Sequence, residues 1–482
     1  MSGTEPVIPY NGTTGVADSG YSSGLSDLNV FYEGGDFAWI ITSTALVLLM
    51  IPGVGFFYSG LARRKSALSL IMLSMLSIAV VDFQWFFWGY SLSFSHSGSA
   101  FIGDLSNFGL MKTLGQPSVG STKMPDLLFC VYQGMFAAIT AALAMGAAVD
   151  RARILPCIVF IFIWSTIVYD PIAHWTWDSN GWSFTLGGLD FAGGTPVHIS
   201  SGAAALAMSI MLGKRGGYAK SAGLPYRPHN VTHIVLGTVF LWVGWFGFNG
   251  GSALAANLRA VMACLVTHLA ASVGGLTWIL MDYRLERKWS VVGFCSGAIA
   301  GLVAITPASG FVTPWAAVIF GVVGGIGCNI ATKLKFVMGA DDALDIFAVH
   351  GIGGIIGNLL TGIFAADYIA GLDGSTVIGG GWINHHYIQL AYQLADSAAG
   401  FSYSFVVTGI ILFVLNLIPG LSLRVKPEEE DMGIDDNQLG EFAYDYVEIQ
   451  RHTSDIVAIK PDADRTVSSK GSFPEKGVEQ LV

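Results

Sequence analysis

Long apolar runs, each about the length that crosses a bilayer, alternate with short polar connections along most of the chain. Eleven can be read, at roughly 38–60, 67–90, 126–148, 154–173, 191–212, 231–250, 258–281, 290–308, 313–332, 345–364 and 387–422. The last is long enough to hold a bend near Pro419-Gly420. None shows the alternation of apolar and polar positions that marks a membrane β-barrel, so each run predicts a helix. Glycines recur within the runs, as in Gly321-Val-Val-Gly-Gly-Ile-Gly327 and Gly351-Ile-Gly-Gly-Ile-Ile-Gly357. Small residues at such spacings let helices approach closely in lipid. The predicted fold is an all-α polytopic membrane protein of eleven transmembrane helices packed as one bundle.

Composition agrees with the pattern and adds orientation. Of 482 residues, 52% are hydrophobic and 12% charged, against about 25% charged in a soluble domain. Basic residues gather at alternate connections: Arg63-Arg64-Lys65, then Arg151 and Arg153, then Lys214, Arg215, Lys220 and Arg227, then Arg284, Arg287 and Lys288, then Lys333 and Lys335. The other connections hold only Lys112, Lys123 and Arg259. Positive residues stay cytosolic, which predicts an outer N-terminus and a cytosolic C-terminus. Residues 1–36 form a polar segment with no cleaved signal peptide predicted, 37–423 the membrane domain, and 424–482 a cytosolic tail. The formal net charge of −10 sits mostly at the ends: 424–482 carries 14 acidic and 7 basic residues. No basic face is left for nucleic acid. Asn11-Gly12-Thr13 is a glycosylation acceptor on the predicted outer side. Cys130, Cys157, Cys264, Cys295 and Cys328 all fall in apolar runs without CxxC spacing, which predicts buried thiols and neither disulfides nor a metal site.

Polar residues inside the runs carry the candidate chemistry. An ionisable group at membrane depth costs several kcal/mol unless it is paired or lines a cavity. His198 lies eight residues past Asp190 and His350 five past Asp345; at about 1.5 Å per helical residue both approach the midplane. They occupy the fifth and tenth runs, which cross in opposite directions. Two fives of opposite direction plus a long eleventh helix suggest an inverted repeat with a solute path near its interface. Two readings stay open on position alone: imidazoles facing one pore, or two core histidines each bonded locally. A bis-histidine haem is disfavoured, because the glycine-rich flanks leave no cofactor slot. His268, without a counterpart, reads as structural. Asp170-Pro171 is a candidate cap or kink; Asp82 is assigned no role.

Aromatic residues cluster at the predicted outer ends: Tyr132 and Phe136, Trp175 and Trp177, and Trp245 to Phe248 ahead of Ser252. An interfacial belt is the ordinary explanation. Phe136 and Phe248 are flanked by Gly and Ala, however, and inward-facing rings could hold a small cation by about 0.5–2 kcal/mol each.

Asp190-Phe-Ala-Gly-Gly-Thr-Pro-Val-His198-Ile resembles the signature of the ammonium transporter family (Amt/Mep/Rh). Further motifs agree in order: Pro52-Gly-Val-Gly-Phe-Phe-Tyr-Ser-Gly60, Pro171-Ile-Ala-His-Trp-Thr-Trp177, Gly244-Trp-Phe-Gly-Phe-Asn-Gly-Gly-Ser252, Cys295 to Pro307, and Asp341 to Gly351. The resemblance implies a plasma-membrane homotrimer with one pore per protomer and no cofactor. By motif, Trp177, Tyr132, Phe136 and Ser252 would recruit ammonium, with Asp190 beneath them. Phe136 and Phe248 would gate the pore, and His198, His350 and Thr306 would line it. Some fungal relatives carry Glu at the first pore histidine; this chain keeps His198 and so resembles the high-affinity fungal branch, linked to nitrogen sensing and filamentous (pseudohyphal) growth. An aromatic cage followed by a narrow apolar pore implies capture of NH4+, passage as NH3, and separate movement of the proton, a net electrogenic transport.

The early tail, Leu423 to Tyr444, resembles the family's docked cytosolic tail. Beyond it the Ser/Thr-rich, acidic composition predicts disorder. Ser454, in Arg451-His-Thr-Ser-Asp455, is a candidate site for a kinase. Rival functions are an ammonium sensor with little transport and a passive NH3 or CO2 channel of Rhesus type. No Walker loop or nucleophile constellation appears, so an enzyme is not expected.

Overall fold

The computed structural model describes residues 28–218 and 227–444; Asn11 and Ser454 lie outside the described residues. Among those described, no β-strand forms beyond isolated bridges. Among the described residues eleven helices are long and apolar enough to cross a membrane. In chain order they are α1 (Gly34–Leu61), α2 (Arg64–Phe94), α3 (Asp126–Ala148), α4 (Ile154–Leu186), α5 (Gly194–Leu212), α6 (Val231–Gly251), α7 (Leu258–Glu286), α8 (Val291–Ala308), α9 (Pro314–Met338), α10 (Phe347–Phe364) and α11 (Gln389–Leu417). The described residues through Ala443 fall in one compact unit, so the early tail packs with the helices.

These helices are apolar on every side because the bundle meets lipid outside and itself inside. On α7, Leu258, Val261, Leu265, Leu276 and Leu280 are exposed, while Ala263, Ala270 and Ala271 are buried. The inward stripe is therefore small-residue and the outward stripe branched, the reverse of a soluble helix. Starts are set by side-chain caps: Asn230 accepts from the His233 amide at 3.0 Å on α6, Asn257 from Ala260 at 3.0 Å on α7, and Ser290 from Gly293 at 2.8 Å on α8. α11 stops at Leu417, so Pro419-Gly420 belong to a turn after the helix and do not bend it. Asp170-Pro171 continue α4 after a wider, π-type turn at Ser165–Tyr169, and the helix is not interrupted there. Asp82 is exposed on the outward side of α2.

On the tail side, charged residues from four connections lock together. Arg215 bonds Asp341 at 2.9 Å and Asp150 at 3.0 Å, and Arg63 reaches the same Asp150 oxygen at 3.0 Å. Burial alone raises the Asp341 carboxyl, but the Arg215 guanidinium bonded to it holds it below the usual carboxylate range. The short helix α12 (Pro427–Met432) joins this cluster through Glu430, which lies 3.7 Å from Arg63 and accepts from Arg424 at 3.0 Å. Five residues beyond Glu430, Asp435 accepts from the amides of Leu68 and Ser69 at 2.9 and 2.8 Å, donors at the start of the α-helical part of α2 that begins at Ala67.

Candidate functional site

The site begins where α5 begins. Gly193 takes a φ of +111°, a conformation that glycine adopts without strain. The chain thereby folds back so that one Asp190 oxygen accepts from the amides of Gly193 at 2.8 Å and Gly194 at 2.7 Å, and the other from Thr195 at 2.7 Å. Orphan amides of a helix start are thus satisfied by a carboxylate placed ahead of it. α5 then opens with a wide π-type turn, Gly194–Ile199, that carries His198.

The start of α10 repeats this construction. Its wide turn, Phe347–Ile352, carries His350. The carboxylate ahead of it is Asp342, which accepts from the amides of Ile346 and Phe347 at 3.2 and 2.9 Å. Asp345, from which the depth of His350 is counted in the sequence, bonds Lys335 instead, at 2.7 Å. The counterpart of Asp190 is therefore Asp342, and the same spacing of eight residues separates Asp190 from His198 and Asp342 from His350.

Glycines bring the two histidines together. A Cβ on Gly202 would stand 2.3 Å from the amide nitrogen of Gly351, so α5 and α10 cross at backbone contact. One turn away, the Nδ1 atoms of His198 and His350 lie 3.2 Å apart, both side chains buried. A bond between two neutral imidazoles needs one ring to donate and the other to accept, which assigns opposite tautomers. His198 Nε2 is buried without a protein partner. Its ring stacks on Trp245 at 5.5 Å and 22° and lies 6.0 Å from Phe248. Trp245 donates through Nε1 to Thr306 Oγ1 at 2.9 Å. Thr306, fully buried, orients that indole and is not among the residues around the adjoining cavity. Trp245 is the neighbour of His198 that the sequence motif contains but does not single out.

Phe136 and Phe248 stack at 4.2 Å and 24°, both fully buried. On one side is a vestibule of about 780 Å³ walled in part by Trp177, Asp190, Gln133 and Ser252. On the other is a cavity of about 390 Å³ that runs from Phe248, Trp245, His198 and His350 to Asp282 and Asp345. Trp177 meets Phe136 edge to face at 5.8 Å and donates to the Asp190 carbonyl at 3.0 Å. Tyr132 stands behind Phe136 at 4.9 Å. Its hydroxyl bonds the carbonyls of Gly247 and Phe248 at 2.9 and 3.0 Å, and it is not among the residues around the vestibule. Ser252 lines the vestibule while donating to the Phe248 carbonyl at 2.8 Å.

These helices define a polytopic membrane protein organised around a stacked phenylalanine pair between two cavities, with a buried imidazole pair lining the inner one. Residues 38–444 match the Ammonium Transporter Family. Ammonium transporter 1 of Schizosaccharomyces pombe is 64% identical over 447 residues, covering 92% of this chain and 88% of its own. Ammonium transporter MEP2 of Saccharomyces cerevisiae is 52% identical over 442 residues, covering 90% and 88%. The crystal structure of Candida albicans Mep2 superposes with a TM-score of 0.82 at 54% identity, covering 86% of this chain and 91% of that one. The chain belongs to the ammonium transporter family.

Proposed function

We propose that this protein transports ammonium across the plasma membrane by recruiting NH4+ at the aromatic vestibule, deprotonating it near the Phe136–Phe248 pair and conducting NH3 past His198 and His350. The observation that carries this reading is the 3.2 Å Nδ1–Nδ1 contact directly beyond two stacked rings. A chain of this kind suits a solute that can shed its charge. K⁺ is close to NH4+ in size but cannot give up a proton, so a dry ring gate favours the ammonium-derived neutral species.

In this reading the tail side is cytosolic and the vestibule of Trp177, Ser252 and Asp190, with Phe136 behind Trp177, faces outward. Tyr132 contributes by fixing the end of α6 from behind Phe136, and Thr306 by holding Trp245 flat against His198. The unpartnered His198 Nε2 offers NH3 one polar contact in an otherwise apolar passage. The proton left behind crosses separately, through the imidazole pair and water, which makes transport electrogenic. The protomers assemble as a homotrimer, each with its own pore. Residues 1–36 stay outside with Asn11 as a glycan acceptor, and 424–482 form a regulatory tail with Ser454 as its kinase site. A role in ammonium sensing during filamentous growth belongs to the same reading.

Uptake of isotope-labelled ammonium into proteoliposomes containing the purified protein, with potassium in large excess, tests it. Saturable uptake undiminished by potassium supports the assignment. Uptake absent, or competed away by potassium, overturns it.

A further inference from the structure

A second carboxylate lies one layer behind Asp190. Asp396 of α11 is buried, and its partners come from three other helices. Ser183 of α4 donates to Oδ1 at 2.6 Å. Thr195 of α5 donates its hydroxyl to Oδ2. Asn358 of α10 shares its amide hydrogens among Asp396 Oδ2 at 3.3 Å, Thr195 Oγ1 at 2.8 Å and Ser397 Oγ at 2.9 Å. Thr195 is thus gripped from both ends: its amide bonds Asp190 at 2.7 Å and its hydroxyl bonds Asp396. α11 closes on this point, since a Cβ on Gly400 would stand 2.3 Å from the Thr195 methyl.

Every donor to Asp396 is neutral, and no basic side chain among the described residues lies within salt-bridge distance of it or of Asp190. An amide could make much the same bonds at lower desolvation cost, because a buried charge without a counter-ion is expensive. The charge itself therefore calls for an explanation. Asp190, which shares Thr195 with Asp396 as a hydrogen-bond partner, borders the vestibule. Two carboxylates without a basic partner near one mouth, when ionised, focus a negative potential there and raise the local concentration of a small cation.

We propose that Asp396 is a positioning residue for cation recruitment: through Thr195 it holds the 190–195 turn, and its charge adds to that of Asp190 at the vestibule. This rests on the ammonium transport reading above. Ammonium-evoked currents in proteoliposomes, measured against concentration for the parent, Asp396→Asn, Asp396→Glu, Thr195→Ser and Thr195→Val, test it. Asp396→Asn is expected to raise the apparent KM about tenfold, equal to ~1.4 kcal/mol of lost cation binding, with maximal current kept within about twofold. Asp396→Glu and Thr195→Ser are expected to return towards the parent KM, and Thr195→Val to raise it. Parent KM in Asp396→Asn, or lost current at unchanged KM, overturns the inference by reducing Asp396 to a structural tie. If Asp396→Asn does not fold, as read by its melting in detergent, parent KM in Thr195→Val overturns it instead. A parent protein without current overturns the transport reading itself.

Discussion

At the scale of single residues, most of the candidate site is built by side chains whose task is to orient another group. Tyr132 shows the distinction. Its ring supports Phe136, but its hydroxyl faces the carbonyls that end α6. Tyr132→Phe is expected to lower stability by about 1 kcal/mol, seen as a lower melting temperature in detergent, while the KM for ammonium stays unchanged. The histidines differ, since each is the other's hydrogen-bond partner through Nδ1. His198→Ala or His350→Ala is expected to reduce electrogenic uptake or to admit potassium; unaltered flux and selectivity in both variants would remove the pair from the mechanism. The depth and opposite setting of these imidazoles are legible in the sequence, because a histidine in an apolar run stands out. The roles of Thr306 and Tyr132 are not, since each depends on which neighbour the hydroxyl meets across the fold. Asp342 lies between these cases. Its spacing of eight residues to His350 repeats that of Asp190 to His198, yet Asp345 is nearer to the histidine and hides the match.

At the scale of elements, the separation of the histidines is set by glycine. The Gly202–Gly351 contact leaves no room for a methyl group, and α5 and α10 each carry one imidazole beside it. Gly202→Ala is expected to cost about 1–3 kcal/mol and to suppress transport by parting the rings. Gly409→Ala on α11, where a Cβ would meet nothing within 4 Å, is the matched control and is expected to leave both unchanged or slightly improved. The loops of the tail side obey a different rule, charge paired in a buried place. Arg215→Gln removes the guanidinium bonded to Asp341, leaving it only Arg151 at 3.8 Å while Asp150 keeps Arg63, and is expected to destabilise by about 1.5–3 kcal/mol. The sign with pH follows from the lowered Asp341 carboxyl. Its contribution is present above the unfolded value of about 3.9 and is lost as pH falls through the lower folded value. Melting temperatures of the parent should therefore fall more steeply below about pH 4 than those of Arg215→Gln. Helix number and order are legible in the run pattern, whereas these ties join residues far apart in sequence.

At the scale of the whole molecule, the arrangement separates two events that a simple hole would merge. In the proposed mechanism cation capture is assigned to a vestibule with aromatic and acidic walls, and passage to an apolar stretch with two imidazoles. Membership in the ammonium transporter family names the solute with which relatives are associated; the geometry supports the way in which its charge is handled. The most direct test is the current recorded from proteoliposomes on a solid-supported membrane after a jump in ammonium, with an equal jump in potassium as the comparison. A sustained, saturable current with ammonium and none with potassium is the predicted result. A change of internal pH without current, or a current of similar size with potassium, would contradict the separation of proton and NH3 on which the mechanism depends.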